Sequence, residues 1–230
     1  MLRLIRLIAV AAIVTTAVIP VLAKDGTIGT TAVVLPPPTG YCELDASQPS
    51  DARMLQVVED MLATGTNRLL AISANCKELV DWRNGRRKLM DNLAQYQTLK
   101  AWEDGLPAPP ATVVAEVCKA MRARGEQFTA NAEQGAKARA EEVIKEVKIN
   151  EMKFMGVVGE EPNACYTAML QRFQTEMGTD KTQVTVFSTT IVRSKLVYFY
   201  LFAPYVSGDS VTDLLAQQKA QVRRLHAANR

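Results

Sequence analysis

The sequence predicts an α+β domain: an antiparallel sheet, largely a meander, sandwiched between helices, with one long helix in mid-chain. Three observations carry that expectation. Residues 152–158, 165–173, 184–192 and 196–203 are extended runs separated by turn-sized gaps, the pattern of strands that pair with their chain neighbours. The run Leu196-Val197-Tyr198-Phe199-Tyr200-Leu201-Phe202 is apolar at both parities, as a central strand covered on both faces requires. Val211, Leu214, Leu215, Val222 and Leu225 then fall on one helical stripe that suits packing on such a sheet.

Residues 1–23 read as a secretory signal. Arg3 and Arg6 precede an apolar run over residues 7–18, Pro20 breaks the helix, and Val21 and Ala23 hold the two positions a signal peptidase inspects, just ahead of Lys24-Asp25-Gly26. The rival reading is a retained anchor, because about 20 apolar residues span a bilayer. Thr15, Thr16, Pro20 and the cleavage site favour removal. Cleavage after Ala23 leaves 207 of the 230 residues, enough for a single domain with one sizeable core, and lowers Lys+Arg from 27 to 25 against 24 Asp+Glu. A chain that close to neutral offers no global electrostatic basis for binding nucleic acid or an anionic membrane surface. The expected destination is periplasmic or secreted, with no stable membrane span once the signal is gone.

The elements follow in order. Residues 30–35 form a β-branched run stopped by Pro36-Pro37-Pro38 and Gly40, and Tyr41-Cys42-Glu43-Leu44 is a short strand. Ser47 or Ser50 caps a helix through residue 64, where Met54, Leu55, Val57, Val58, Met61 and Leu62 make a broad apolar face and Gly65 ends it. Residues 68–74 are too short for a helix and read as a buried strand. The signal is weak between Trp82 and Trp102, with a turn at Asn84-Gly85 and a strand over residues 93–99. After the linker prolines Pro107, Pro109 and Pro110, a helix begins at Thr112 and extends to about residue 147. Its first half carries an apolar stripe of Val114, Val117, Cys118 and Met121. The half from Gly125 onward has little to bury and reads as a surface for another chain or as a solvated helix supported by pairs such as Glu141 with Lys145. Asp209 or Ser210 caps the last helix.

Export changes how the cysteines read, because an oxidising compartment permits disulfides that the cytosol would reduce. Cys42, Cys76, Cys118 and Cys165 allow three full pairings. Spacing favours Cys42 with Cys76, leaving Cys118 and Cys165; buried free thiols are the alternative. The sequence contains no CxxC, so a thioredoxin-type site or a zinc knuckle has no support.

Candidate chemistry is sparse. His226 is the single histidine and lies near the C-terminal end of the last helix, which removes any multi-histidine metal site or relay. No phosphate-binding GxxxxGK[ST], GxGxxG fingerprint or GxSxG elbow occurs. The expectation is therefore no catalytic residue, no metal and no cofactor. The local charge concentration Trp82-Arg83-Asn84-Gly85-Arg86-Arg87-Lys88 is the candidate ligand site, because the guanidinium groups of Arg83, Arg86 and Arg87 suit carboxylate or phosphate and Trp82 can supply a flat apolar surface. A solvated loop is the plainer reading. Glu78 with Asp81 and Glu160 with Glu161 are paired carboxylates that need convergence in a cleft before they can do acid/base work. Tyr198, Tyr200, Tyr205, Phe199 and Phe202 read as core packing.

Val33-Val34-Leu35-Pro36 leading into Gly40-Tyr41, then a helix, a strand pair, a meander ending in Val197-Tyr198-Phe199-Tyr200 and a final amphipathic helix resembles the Mog1/PsbP-like class of domains. The chain is also similar to small secreted proteins of Gram-negative bacteria. The resemblance implies an antiparallel sheet between helical layers and non-enzymatic roles in binding or assembling partners; the long mid-chain helix departs from it. The functional expectation is an exported, non-enzymatic domain that binds or stabilises an envelope protein, with the helix at 125–147 as the contact surface. The alternative is a small periplasmic enzyme or binding protein that takes an anionic small molecule at the turn from Arg83 to Lys88.

Overall fold

The structure, a computed structural model, describes residues 24–63, 65–143, 147–175 and 178–230. The signal segment, residues 1–23, lies outside the described residues, as do the side chains of Glu141 and Lys145. Two strands, β1 (Lys24–Ile28) and β2 (Thr31–Leu35), form a hairpin. They are followed by β3 (Tyr41–Glu43), α1 (Pro49–Ala63), β4 (Asn67–Asn75), α2 (Cys76–Arg83), β5 (Leu93–Leu99) and α3 (Pro110–Val143). The chain ends with β6 (Val147–Glu161), β7 (Ala164–Thr175), β8 (Asp180–Val192), β9 (Lys195–Pro204) and α4 (Gly208–Ala228).

Seven strands make one antiparallel sheet in the order β3-β4-β5-β9-β8-β7-β6. The last four strands are the expected meander. The long α3 connection carries the chain from β5 to the opposite edge, and β9 returns to pair with β5 at the centre. Helices cover both faces, so the α+β sandwich expected from the sequence is the observed architecture.

Alternation along β9 separates the two faces. Val197, Phe199 and Leu201 are buried in the main core with Leu214 and Leu225 of α4 and with Ile28, Val33 and Leu35 of the hairpin. Polar pairing locks this layer down. Asn229 bonds Val34 through both its oxygen and its amide, each at 2.8 Å, and Arg224 donates to the Pro37 carbonyl at 3.1 Å. Tyr96 Oη donates to the Pro36 carbonyl at 2.8 Å, which Gln221 Nε2 also reaches. Prolines that cannot donate thus serve as acceptors for α4. On the opposite face α1 and α2 enclose Leu44, Val58, Ile72, Ala74 and Leu79, while Val114 and Cys118 of α3 pack on Cys165 of β7.

Both disulfides favoured by spacing are present, Cys42–Cys76 and Cys118–Cys165. The first ties β3 to the start of α2 and the second ties α3 to β7.

Several expectations need correction. Strand β1 is one omission: its composition (Lys-Asp-Gly-Thr) carries no strand signal, and pairing with β2, Lys24 opposite Leu35, supplies it. The eight-residue helix α2 is a second omission, made by its cap: Asn75 Oδ1 accepts the N–H groups of Lys77 and Glu78. Helix α1 begins at Pro49, suited to a first helical position, rather than on a serine cap. In α4 the cap is Ser207, in a capping box with Ser210. Helix α3 ends at Val143, and Val147 already opens β6, so the stretch to 147 is not all helical. The residues Val147-Lys148-Ile149 alternate, and sheet pairing with Thr175, Gln174 and Phe173 overrides the charge pattern that reads as helix.

Candidate functional site

The basic turn was the sequence's leading site, and the structure gathers its residues at one corner. Each guanidinium there already has an anion. Arg83 donates from Nε at 3.0 Å and from Nη2 to the carboxylate of Asp51, a residue of α1 with no exposed surface. Arg86 pairs with Asp81 at 2.8 Å, and Arg87 lies between Glu78 at 2.9 Å and Asp91 at 3.2 Å. Trp82 is packed against the apolar cluster under α1. Glu78 also accepts the backbone N–H groups of Asp91 and Asn92 at 2.8 and 3.0 Å, which fixes the chain where it enters β5. Sequence reasoning finds the cations but not Asp51, which is 32 residues away from Arg83 in the chain. Burial pushes the Asp51 carboxyl up, but hydrogen bonds from Arg83, the Asp45 N–H and Ser50 outweigh it and hold the group below its ordinary range. This geometry supports a structural cross-brace and gives the anion reading of the turn no support.

A second candidate lies on the sheet. Phe199 is fully buried under α4, but Tyr198, Tyr200 and Phe202 point to the other face with Phe187 of β8, and all four are only half-buried. Of the five aromatics expected to pack in the core, Phe199 is fully buried and the other four are partly buried. The rings are neighbours: Phe187 and Tyr200 lie 5.2 Å apart between centroids, Tyr200 and Phe202 6.2 Å, and Tyr198 and Tyr200 6.4 Å. On this face α1 sits mainly on β4, while α3 sits on β6, β7 and β8 and touches α1. The central strands β5 and β9 therefore form a strip between two helices.

Amide side chains border the rings. Asn67 Nδ2 donates to Gln97 Oε1 at 3.0 Å, Gln97 Nε2 donates to Gln95 Oε1 at 2.8 Å, and Asn67 also hydrogen-bonds the Tyr200 hydroxyl. Burial raises both phenols, Tyr198 to about 12 and Tyr200 further with the help of Tyr198, so both stay neutral donors at physiological pH. The strip thus offers apolar ring surface and neutral polar groups, a composition suited to binding rather than to proton transfer. Its amide border was legible: Gln95 and Gln97 alternate with buried Ala94 and Tyr96, which puts both amides on one face of β5.

Helix α3 flanks the strip. Its backbone breaks at Arg124 (φ −138°, ψ 15°), and Gly125 lies against the Phe154 ring of β6. Beyond the kink Glu126, Gln127, Ala130, Asn131 and Gln134 are exposed, which agrees with a half that has little to bury. A cavity of about 450 Å³ opens at the kink, lined by Arg122, Arg124, Gln127, Phe154 and Met155 among others.

The remaining candidates are structural. Glu160 pairs with Arg122, and Glu161 accepts from Tyr166 Oη at 2.9 Å, so these two carboxylates serve different neighbours instead of converging. His226 Nε2 is 2.9 Å from Thr190 Oγ1. Thr190 donates to the Asn163 carbonyl at 2.6 Å, and the Asn163 amide nitrogen lies 3.1 Å from the same ring nitrogen of His226. Burial lowers the pKa of His226. Among the described residues no group of three His, Cys, Asp or Glu side chains is placed to hold a metal ion, and no helix is long and apolar enough to cross a membrane.

No protein-family model matches the chain, and no curated protein matches it. Two solved structures align over 90% of this chain and 92% of theirs. One is the Ran-binding protein Mog1p of Saccharomyces cerevisiae, at 10% identity and a TM-score of 0.32. The other is a point mutant of the protein Mog1, at 11% identity and a TM-score of 0.34. Similarity this weak agrees with the loose resemblance read from the sequence and carries no argument about partner or function.

Proposed function

We propose that this chain is an exported, non-enzymatic domain that binds or stabilises a protein of the cell envelope, and that the partner lies on the strip between α1 and α3. The observation that carries the reading is the set of partly exposed rings of Phe187, Tyr198, Tyr200 and Phe202 gathered on one face of the middle strands. Aromatic side chains bury large areas at little conformational cost and dominate the energetics of protein interfaces. The neutral amides of Asn67 and Gln95, held in place by buried Gln97, supply hydrogen bonds to a partner's backbone. The thinly packed half of α3 forms the adjoining wall, as its composition suggests. Two disulfides suit an oxidising compartment and fit the export signal read from residues 1–23.

The test is site-specific photocrosslinking in cells that export the full chain, with the crosslinking amino acid at Tyr198 or Phe202 and, as a control, at exposed Asp213 on α4. A discrete adduct from the strip positions, absent at Asp213 and lost when Phe187→Ser is added to a variant that still folds, is the expected result. Identical adducts at all three positions, or none at the strip, would overturn the reading.

A further inference from the structure

The first strand begins where the export signal ends. Val21 and Ala23 mark the Ala23–Lys24 bond as the one a signal peptidase would cut, and Lys24 is already the first residue of β1, in register with Leu35. No spacer separates the cut from the folded domain. Alternation along β2 gives the way Lys24 is engaged. Val34 turns its N–H and C=O outward to Asn229, and the Ala32 carbonyl turns outward to Arg193 Nη1 at 2.8 Å. Successive residues of a strand point their backbone groups to opposite sides, so those of Val33 and Leu35 face β1, and Leu35 meets Lys24.

The hairpin is held at several points. Ile28, Val33 and Leu35 are buried in one core with Leu214 and Leu225 of α4. Arg68 of β4 donates to the Thr27 carbonyl at 2.8 Å, and the Gly29 N–H bonds the Glu103 carboxylate. Asn229, 195 residues further along the chain, fastens Val34 by two bonds of 2.8 Å. A two-stranded hairpin alone is marginally stable in water, so β1 has little to hold it until α4 has docked. Proteases act on extended, accessible chain, and cleavage of a folded chain tracks the population of its opened form.

We propose that docking of the β1–β2 hairpin against α4 closes the Ala23–Lys24 bond to signal peptidase, so that the chain is cut before α4 docks and a precursor that escapes stays tethered by residues 1–23. The reaction is hydrolysis: the oxygen of water joins the Ala23 carbonyl carbon as the C–N bond breaks, and Lys24 departs with a free amino group. Two populations follow from this timing, a released form and an anchored one, with the same fold. The gate rests on the reading of residues 1–23 as an export signal and is independent of the aromatic strip.

The folded full chain, purified in detergent, is incubated with signal peptidase, and loss of residues 1–23 is timed by mass spectrometry. A second chain carries the insert Lys-Asp-Gly-Ser-Gly-Ser between Ala23 and Lys24, which keeps the residues on both sides of the cut and moves the hairpin away from it. The parent should be cut roughly tenfold more slowly than the insert chain, or slower still. Asn229→Ala, which removes both bonds to Val34, should be cut faster than the parent, whereas Asp213→Ala, exposed on α4, should match it. Should the Asn229 variant fail to fold, the comparison of parent and insert decides. Equal rates for those two would sink the gate and leave the export signal standing. No cut in either chain, beside a control precursor that is cut normally, would overturn the signal and the gate together.

Discussion

Asp51 carries its charge with no exposed surface, and its two oxygens are shared among the Arg83 guanidinium, the Asp45 N–H at 2.9 Å and the Ser50 hydroxyl at 3.1 Å. Such a group stabilises the fold only while it is ionised. Its folded pKa is depressed, so its contribution is fully present above the unfolded carboxyl value of about 4 and is lost as pH falls through the folded value. Asp51→Asn keeps the shape but leaves Arg83 without its anion. We expect it to destabilise the protein by about 3 kcal/mol at pH 7, the low end for breaking a buried pair because the Arg83 side chain is 30% exposed. Urea midpoints measured from pH 7 to pH 3 should show the variant and the parent converging in acid; a constant gap across that range would mean that the ion pair is not the source. Arg83 was visible in the sequence as one of a cluster of cations. Asp51 was not, because a lone carboxylate in the first turn of α1 looks like an ordinary helix-start residue.

At the scale of elements, the meander, the central position of β9 and the stripe of α4 were all legible, because period-two and period-3.6 patterns persist over many residues there. What escaped was made by single contacts. The hairpin strand β1 exists through its pairing with β2, and α2 through its Asn75 cap. The candidate strip escaped in part because a tyrosine on a central strand reads as core whether or not a helix lies over it. The kink in α3 belongs to the same class, and it has a testable cause. A Cβ on Gly125 would sit 2.1 to 2.8 Å from three atoms of the Phe154 ring. Alanine is the better helix former by about 1 kcal/mol, yet Gly125→Ala must displace either the helix or the ring. We expect a net loss of about 1 to 2 kcal/mol, at the lower end of overpacking costs because the ring is half-buried. Adding Phe154→Ala to the glycine variant should cost less than Phe154→Ala does in the parent chain. Additive effects of the two changes in chemical unfolding would rule out the clash.

For the whole molecule, the two helical layers are attached to the sheet by different means. Layer α4 is held by apolar packing and by the bonds of Gln221, Arg224 and Asn229 to the β2 end and the proline segment, with no covalent link. On the other face both attachments are covalent, α3 through Cys118–Cys165 and the α2 corner through Cys42–Cys76. The chain-entropy relation for loops of 34 and 47 residues gives about 4 kcal/mol for each bridge. Set against the 5 to 15 kcal/mol typical of a domain, that makes the face carrying the aromatic strip the redox-dependent one. The covalent layer is also the one with less to bury, since α3 past its kink exposes most of its described side chains. Reduction should therefore act unevenly. In hydrogen exchange with and without dithiothreitol, amides of α3 should lose protection first and by the largest factor, while β8, β9 and α4 keep theirs until global unfolding. Cys118→Ala with Cys165→Ala should reproduce the effect in α3 without reductant. It should also abolish the photocrosslink from Tyr198 if α3 forms the wall of the partner site. Uniform loss of protection over both faces would instead mean that the sheet and its layers unfold as one unit, and the division of labour between packing and disulfides would have to be abandoned.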